Sequence, residues 1–212
     1  MPLTRAAAVP CQTTVAAAAA DLRAPDADTR RRVALALGGN ATAETLAALV
    51  AQLQVETDDS VREALFAACG MIGGTEAASA LVPFLRLEDA GLRNGALETL
   101  QHLGAAAADA VDDALNDKDK DVRQLAVDVM RAWPPEHIVP RLRRLLANEP
   151  NVNVMGAVID LAAQRGDASL LPDLARCRAR FAGDGFIGFA IDIAQEALAV
   201  PKKTRRARKT AP

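Results

Sequence analysis

One motif recurs along this chain at a spacing that admits few folds. DDSVREALFAACG places Val61-Arg62 ahead of Leu65, Phe66, Ala68 and Cys69, and DAGLRNGALETLQ places Leu92-Arg93 ahead of Ala96, Leu97 and Leu100. DVRQLAVDVM repeats the pattern with Val122-Arg123 ahead of Ala126, Val127, Val129 and Met130. The three arginines are 31 and 30 residues apart. The same step leads back from Arg62 to Arg31 in DADTRRRVALALGG and forward from Arg123 to Asn153 in NVNVMGAVIDLA, which makes five units. Between them lies a second recurring segment, clearest in Gly73 to Leu85 and Gly166 to Leu174, an amphipathic helix after a short glycine-containing turn. Helices of roughly a dozen residues are unstable alone in water. Stacked in pairs they bury a continuous core, so the period predicts an array stabilised by contacts between neighbours.

Composition agrees with this reading. Alanine is the commonest residue, aromatics are 3%, Trp133 stands alone and there is no tyrosine, a profile that suits helices in close approach and suits a β-sandwich badly. Cys11, Cys69 and Cys177 are odd in number, far apart and without a C-x-x-C or a neighbouring histidine, so neither a disulfide framework nor a zinc site is expected. The reading is a protein of the reducing cytoplasm. The alanine-rich N-terminus is broken by Pro10 and by Gln12-Thr13-Thr14, which makes it a poor secretion signal and too weak to span a membrane. The formal net charge of −2 hides a split: Lys202, Lys203, Arg205, Arg206, Arg208 and Lys209 form a basic tail, leaving 19 bases against 27 acids in the body.

Asp117, Asp119 and Asp121 alternate as at the start of a calcium-binding EF-hand loop, but Val122 stands where that loop needs glycine and Asp128 where it needs a bidentate glutamate. No metal is expected. Asp58, Asp89 and Asp119 each lie four residues before the repeat arginine, where a carboxylate can cap the first helix and meet the positive end of its dipole. Ser60 and Glu63 add an S-x-x-E capping box to the second unit. With arginine one turn inside each helix, acid and base are placed to pair in a ladder between repeats.

The combination D-x-D-x-x-V-R-x-x-A followed by G-D-x-x-x-x-P-x-L resembles HEAT repeats of the phycobilin-lyase type over roughly residues 13 to 199. That resemblance implies an all-α, right-handed α-solenoid of about five helix pairs, with the second helices on the concave face. Related repeats serve in bilin lyases, a di-iron hydroxylase, DNA-lesion recognition proteins and many scaffolds. The hydroxylase relies on several His-Glu pairs, whereas His102 and His137 are the only histidines here and neither precedes a glutamate.

Residues 1–12 and 200–212 are expected to be flexible, flanking a repeat body over 13–199. Thr13 to Arg23 reads as a second helix without its first, and 184–199 as a first helix without its second, half-repeats that close the two ends. Phe181, Phe186 and Phe189 are expected to plug the final cap. Trp133 is read as packing, with the prolines after it suited to starting the next helix. The stretch Asn151 to Gly156 loses both acid and arginine, so its interface should be the least ordered or adapted to a partner.

No P-loop, dinucleotide fingerprint or nucleophile elbow is present, and Cys177 has no histidine base in its repeat, so no catalytic residue and no cofactor are assigned. What remains is surface. Asp109, Asp112 and Asp113 share one helix face; His137, Arg141 and Arg144 follow on the next second helix, then Asp173, Arg176 and Arg180 on the one after. The reading is a monomeric, non-catalytic scaffold holding a protein partner on a concave mixed-charge face. Its alternatives are a bilin-lyase-like protein that attaches or detaches a chromophore, and nucleic-acid binding through the tail alone, which would supply electrostatic affinity without reading sequence.

Overall fold

In a computed structural model the described residues, 20–199, are helical, with no strand among them. The chain divides into two compact units, one ending at Gly73 and the other beginning at Gly74. This pair has φ of +69° and +78°, a left-handed conformation that side-chain-bearing residues rarely adopt.

The first unit holds α1 (Ala27–Gly38), α2 (Ala43–Leu53) and α3 (Asp59–Ile72). Asp26, Thr42 and Asp58 cap these helices, each side chain accepting a backbone N–H of the first turn. α1 packs on α3, and the approach is close because the contact is made by small residues: a Cβ on Gly38 would lie 2.9 Å from Ala68 Cα. Leu37, Leu49, Leu53, Val61, Leu65 and Cys69 fill the core. Of the N-terminal half-repeat, residues 13–19 lie outside the described residues, while Leu22 is buried at 1% exposure.

The second unit holds α4 (Gly74–Leu81), α5 (Ala90–Leu103), α6 (Ala108–Ala114), α7 (Lys120–Val129), α8 (Pro135–Asn148), α9 (Val152–Arg165), α10 (Leu171–Arg180) and α11 (Gly185–Ala199). Short 3-10 turns extend α4, α5 and α7 at their C-terminal ends and precede α10. First helices α5, α7, α9 and α11 pack in succession, and second helices α4 and α6, then α8 and α10, line up beside them. Asp89, Asp119 and Asn151 cap α5, α7 and α9 through their side-chain oxygens. Trp133 is 1% exposed, with Pro135 at the first turn of α8, both as expected.

Four expectations need correction. The second unit's capping box is absent: Ser60 lies inside α3, and Asp58 Oδ1 takes the amides of Ser60 and Val61 and the Ser60 hydroxyl. The repeat arginine of the first unit is Arg30, not Arg31, because the cap is Asp26 and the arginine follows its cap by four. By the same register the fifth unit carries Met155, not Asn153, in the arginine's place. Met155 is fully buried, so the departure there is one of chemistry: α9 keeps its cap and packs on both α7 and α11. Finally, Phe186 and Phe189 are 58% and 66% exposed instead of plugging the core. The core face of α11 is Ile187, Ile191, Ala194 and Leu198, and at 100° per residue the phenylalanines fall off that stripe. Phe181 is half-buried beneath the Arg180 guanidinium.

Candidate binding face

Each repeat arginine ties down the loop that precedes its own helix. Arg30 Nη1 donates to the carbonyls of Ala24 (3.0 Å) and Pro25 (3.1 Å), and Arg93 Nη1 to those of Leu87 (2.7 Å) and Glu88 (2.6 Å). Arg123 Nη1 does the same to Asp117 (2.8 Å) and Lys118 (3.2 Å), while Arg62 Nε donates to the Glu56 carbonyl at 2.8 Å. A ladder between repeats exists, and Glu56 and Glu149 are two of its acids. Arg30 Nε and Nη2 each sit 2.9 Å from the Glu56 carboxylate, and Arg123 grips Glu149 at 2.8 and 2.9 Å. Both glutamates are 4% exposed. Each also accepts amides of the next helix start, Glu56 those of Thr57 and Asp58 and Glu149 that of Asn151.

The alternating aspartates thereby acquire separate tasks. Asp117 stands two residues before a cap, as Glu56 and Glu149 do, and accepts the Asp119 amide at 2.8 Å. Asp119 is the cap, and Asp121 lies in the first turn beside Lys120. The signal in the sequence for Glu56 and Glu149 is an acid two residues before the cap, a place that Asp117 also fills and that Ala24 and Leu87 take before Asp26 and Asp89. That acid lies in the loop, outside the helix pattern that caps and apolar stripes announce.

On the second helices, the predicted acidic and basic residues do come together, in triads. Asp112 on α6 is shared by Arg141 (Nη2, 2.6 Å) and Arg144 (Nη2, 2.5 Å) of α8. Partial burial pushes the Asp112 carboxyl up, but these two guanidinium groups outweigh it and hold the carboxyl below its ordinary value. Asp173 on α10, read as facing outward, is 5% exposed and is shared by Arg143 (3.1 Å) and Arg176 (2.5 Å). Arg143 was missed because it lies off the Arg141–Arg144 spacing.

The predicted residues differ in what they leave to solvent. The Arg141 side chain is 15% exposed and lies 5.6 Å from the Trp133 ring centroid, whereas Arg144 and Arg176 are 44% and 70% exposed. Arg180 donates to the carbonyls of Leu146 (3.2 Å), Ala147 and Glu149, closing the C-terminal end of α8. Asp109 and Asp113 are exposed. His137 is half-buried in the first turn of α8, its carbonyl accepting from Arg141 Nη1 at 2.8 Å. The tail residues Lys202, Lys203, Arg205, Arg206, Arg208 and Lys209, with Cys11, lie outside the described residues.

Cys69 and Cys177 are buried free thiols; burial pushes Cys69 up to about 12 and raises Cys177, so neither supplies thiolate near neutral pH. Among the described residues no helix is long and apolar enough to cross a membrane.

Comparison with solved structures finds an engineered protein at 18% identity, covering 87% of this chain and 96% of that one with a TM-score of 0.35. It also finds two designed armadillo repeat proteins. One shares 18% identity over 85% of this chain and 98% of that one, with a TM-score of 0.39. The other, in complex with the peptide (KR)4, shares 17% over 88% and 100%, with a TM-score of 0.42. No curated protein matches. The family of HEAT repeats matches residues 15–101 and 102–181, without distinguishing the phycobilin-lyase type. With the repeating cap, the arginine clamp and the paired helices all in the same register, this match places the chain in the HEAT-repeat family.

Proposed function

We propose that this chain is a non-catalytic scaffold that holds a protein partner on the face formed by its second helices. The observation that carries the reading is the sharing of one aspartate by two arginines, Asp112 between Arg141 and Arg144 and Asp173 between Arg143 and Arg176. Each triad keeps one net positive charge and fixes an exposed guanidinium on a rigid helix, so little side-chain freedom is lost on binding. Asp109 and Asp113 add exposed negative charge on α6. Such a surface suits a polypeptide of alternating charge, whereas a nucleic-acid groove should be basic throughout. The frame and the contact surface are divided among the residues: Arg141 and Arg180 brace neighbouring helices, while Arg144, Arg176, Asp109 and Asp113 meet the partner.

The test is copurification of the full chain from its native cells with mass spectrometry of what it retains. Arg144→Glu combined with Arg176→Glu should lose the principal partner while the protein stays folded, and truncation after Ala199 should keep it. Retention by the double variant together with loss on truncation would refute the face and leave the basic tail as the binding element, with a steep salt dependence marking phosphate as its ligand.

A further inference from the structure

Arg30 and Arg123 use their guanidinium groups fully. Nη1 holds two loop carbonyls, while Nε and Nη2 form a fork that receives both oxygens of a glutamate. Arg93 makes only half of this arrangement. Its Nη1 holds the carbonyls of Leu87 and Glu88 as the others do, but among the described residues no carboxylate reaches its Nε and Nη2. Met155 and Ala182, by contrast, occupy the arginine and acid places of the fifth repeat, so there both partners are lost together.

The reason lies in chain length and side-chain length. The acid of this repeat is Asp117, one methylene shorter than glutamate, and it follows Arg93 by two residues fewer than the 26 that separate each complete pair. Asp117 still accepts the Asp119 amide, but its carboxylate turns to Arg86. Arg93 instead borders a groove of about 540 Å³ in which Leu85, Leu87, Val122 and Leu125 alternate with polar side chains, Arg86 and Gln124 among them. Glu88, Asp119 and Asp121 also line it: the Glu88 side chain is exposed, Asp119 Oδ1 accepts the Asp121 amide at 2.9 Å, and Asp121 pairs with Lys120 at 2.6 Å.

We propose that this groove docks a glutamate side chain of the protein partner, received by Nε and Nη2 of Arg93 as Glu56 and Glu149 are received by Arg30 and Arg123. Two backbone carbonyls already hold the guanidinium, so the fork is preorganised, and its planar donors match a carboxylate. The apolar side chains of the groove take the residue flanking that glutamate. The chain's own loops show the form of the ligand: glutamate two residues before a helix cap, as in VETDD and NEPNV. The proposal deepens the scaffold reading and rests on it for the existence of a protein partner.

The experiment is an NMR titration of the 15N-labelled full chain with an acetylated, amidated peptide copying residues 147–153. A second peptide carries glutamine in place of its glutamate, and sodium acetate serves as a plain carboxylate. The Arg93 Nε–Hε resonance and the amides of Leu87, Val122 and Leu125 should move and saturate with the glutamate peptide. The glutamine peptide should bind at least about tenfold more weakly, and Arg93→Lys, which keeps the charge but has no fork, should abolish the glutamate-dependent shifts of the Leu87, Val122 and Leu125 amides in a protein that keeps its helical circular dichroism even where losing the loop clamp lowers its melting temperature. Equal responses to the two peptides, an equal response to acetate, or none up to about 20 mM peptide would overturn the site. Failure here with the copurified partner retained would remove the groove and leave the scaffold reading standing.

Discussion

At the scale of residues, the chain invests its most deeply buried charge in the joints between repeats. Burial alone pushes Glu56 up, yet hydrogen bonds from Arg30, the Asp58 amide, Gln52 and the Thr57 amide outweigh it and bring the carboxyl from 4.5 to about 2. Because the folded value is depressed, its stabilisation is fully present above the unfolded value and is lost as pH falls from about 4.5 towards 2. Glu56→Gln should therefore cost about 3 kcal/mol at pH 7 and progressively less below pH 4.5, measured as urea midpoints across that range. A constant difference from pH 7 to pH 2.5 would mean that the carboxylate charge is not what stabilises the joint. The arginines of the second helices should separate in the same way. Arg141→Glu would set a second acid against Asp112 and remove the cover of Trp133, at a cost of about 2–3 kcal/mol. Arg144→Glu with Arg176→Glu replaces the more exposed arginine of each triad and leaves Asp112 to Arg141 and Asp173 to Arg143, so by thermal melting it should cost less per site than Arg141→Glu.

Among the elements, α11 has two apolar faces with different duties. Ile187, Ile191, Ala194 and Leu198 are buried, against α9 and α10, while Phe186, Phe189 and Ile193 are exposed. Ile191→Ala should cost about 2–5 kcal/mol through the cavity it leaves, whereas Ile193→Ala two residues away should change stability by about 0.5 kcal/mol or less. Equal losses in denaturant melts would mean that the outer face is covered as well. α1 and α3 offer the converse test, since the Gly38 contact is too close for any side chain. Gly38→Ala presses a methyl against the Ala68 backbone and should cost about 1–3 kcal/mol despite alanine's better helix propensity.

For the molecule as a whole, the repeat register implies that length matters less than phase. Deleting residues 119–150 removes one period and joins Lys118 to Asn151, which restores an acid two residues before a cap and takes out Arg123 together with Glu149. That variant should keep its helical circular dichroism and cooperative unfolding, while the shorter deletion 119–142 should lose both, because it breaks the pairing of first and second helices. Much of this architecture was legible beforehand. Period, caps and alanine content determined an all-α repeat chain, since helix starts and apolar stripes are written within a few residues of one another. The same local logic misplaced Arg31, Ser60 and Asn153, where neighbouring candidates of equal propensity compete and only the closed cap decides. It also put Phe186 and Phe189 in the core, because hydrophobicity says that a residue prefers burial and not which side of the last helix is covered. Which acid meets which arginine is a matter of side-chain reach between helices some thirty residues apart. Sequence alone could announce that opposite charges would be neighbours; only the tertiary structure decided that Glu149 fills the fork of Arg123, that Asp112 and Asp173 each serve two arginines, and that the fork of Arg93 is left open.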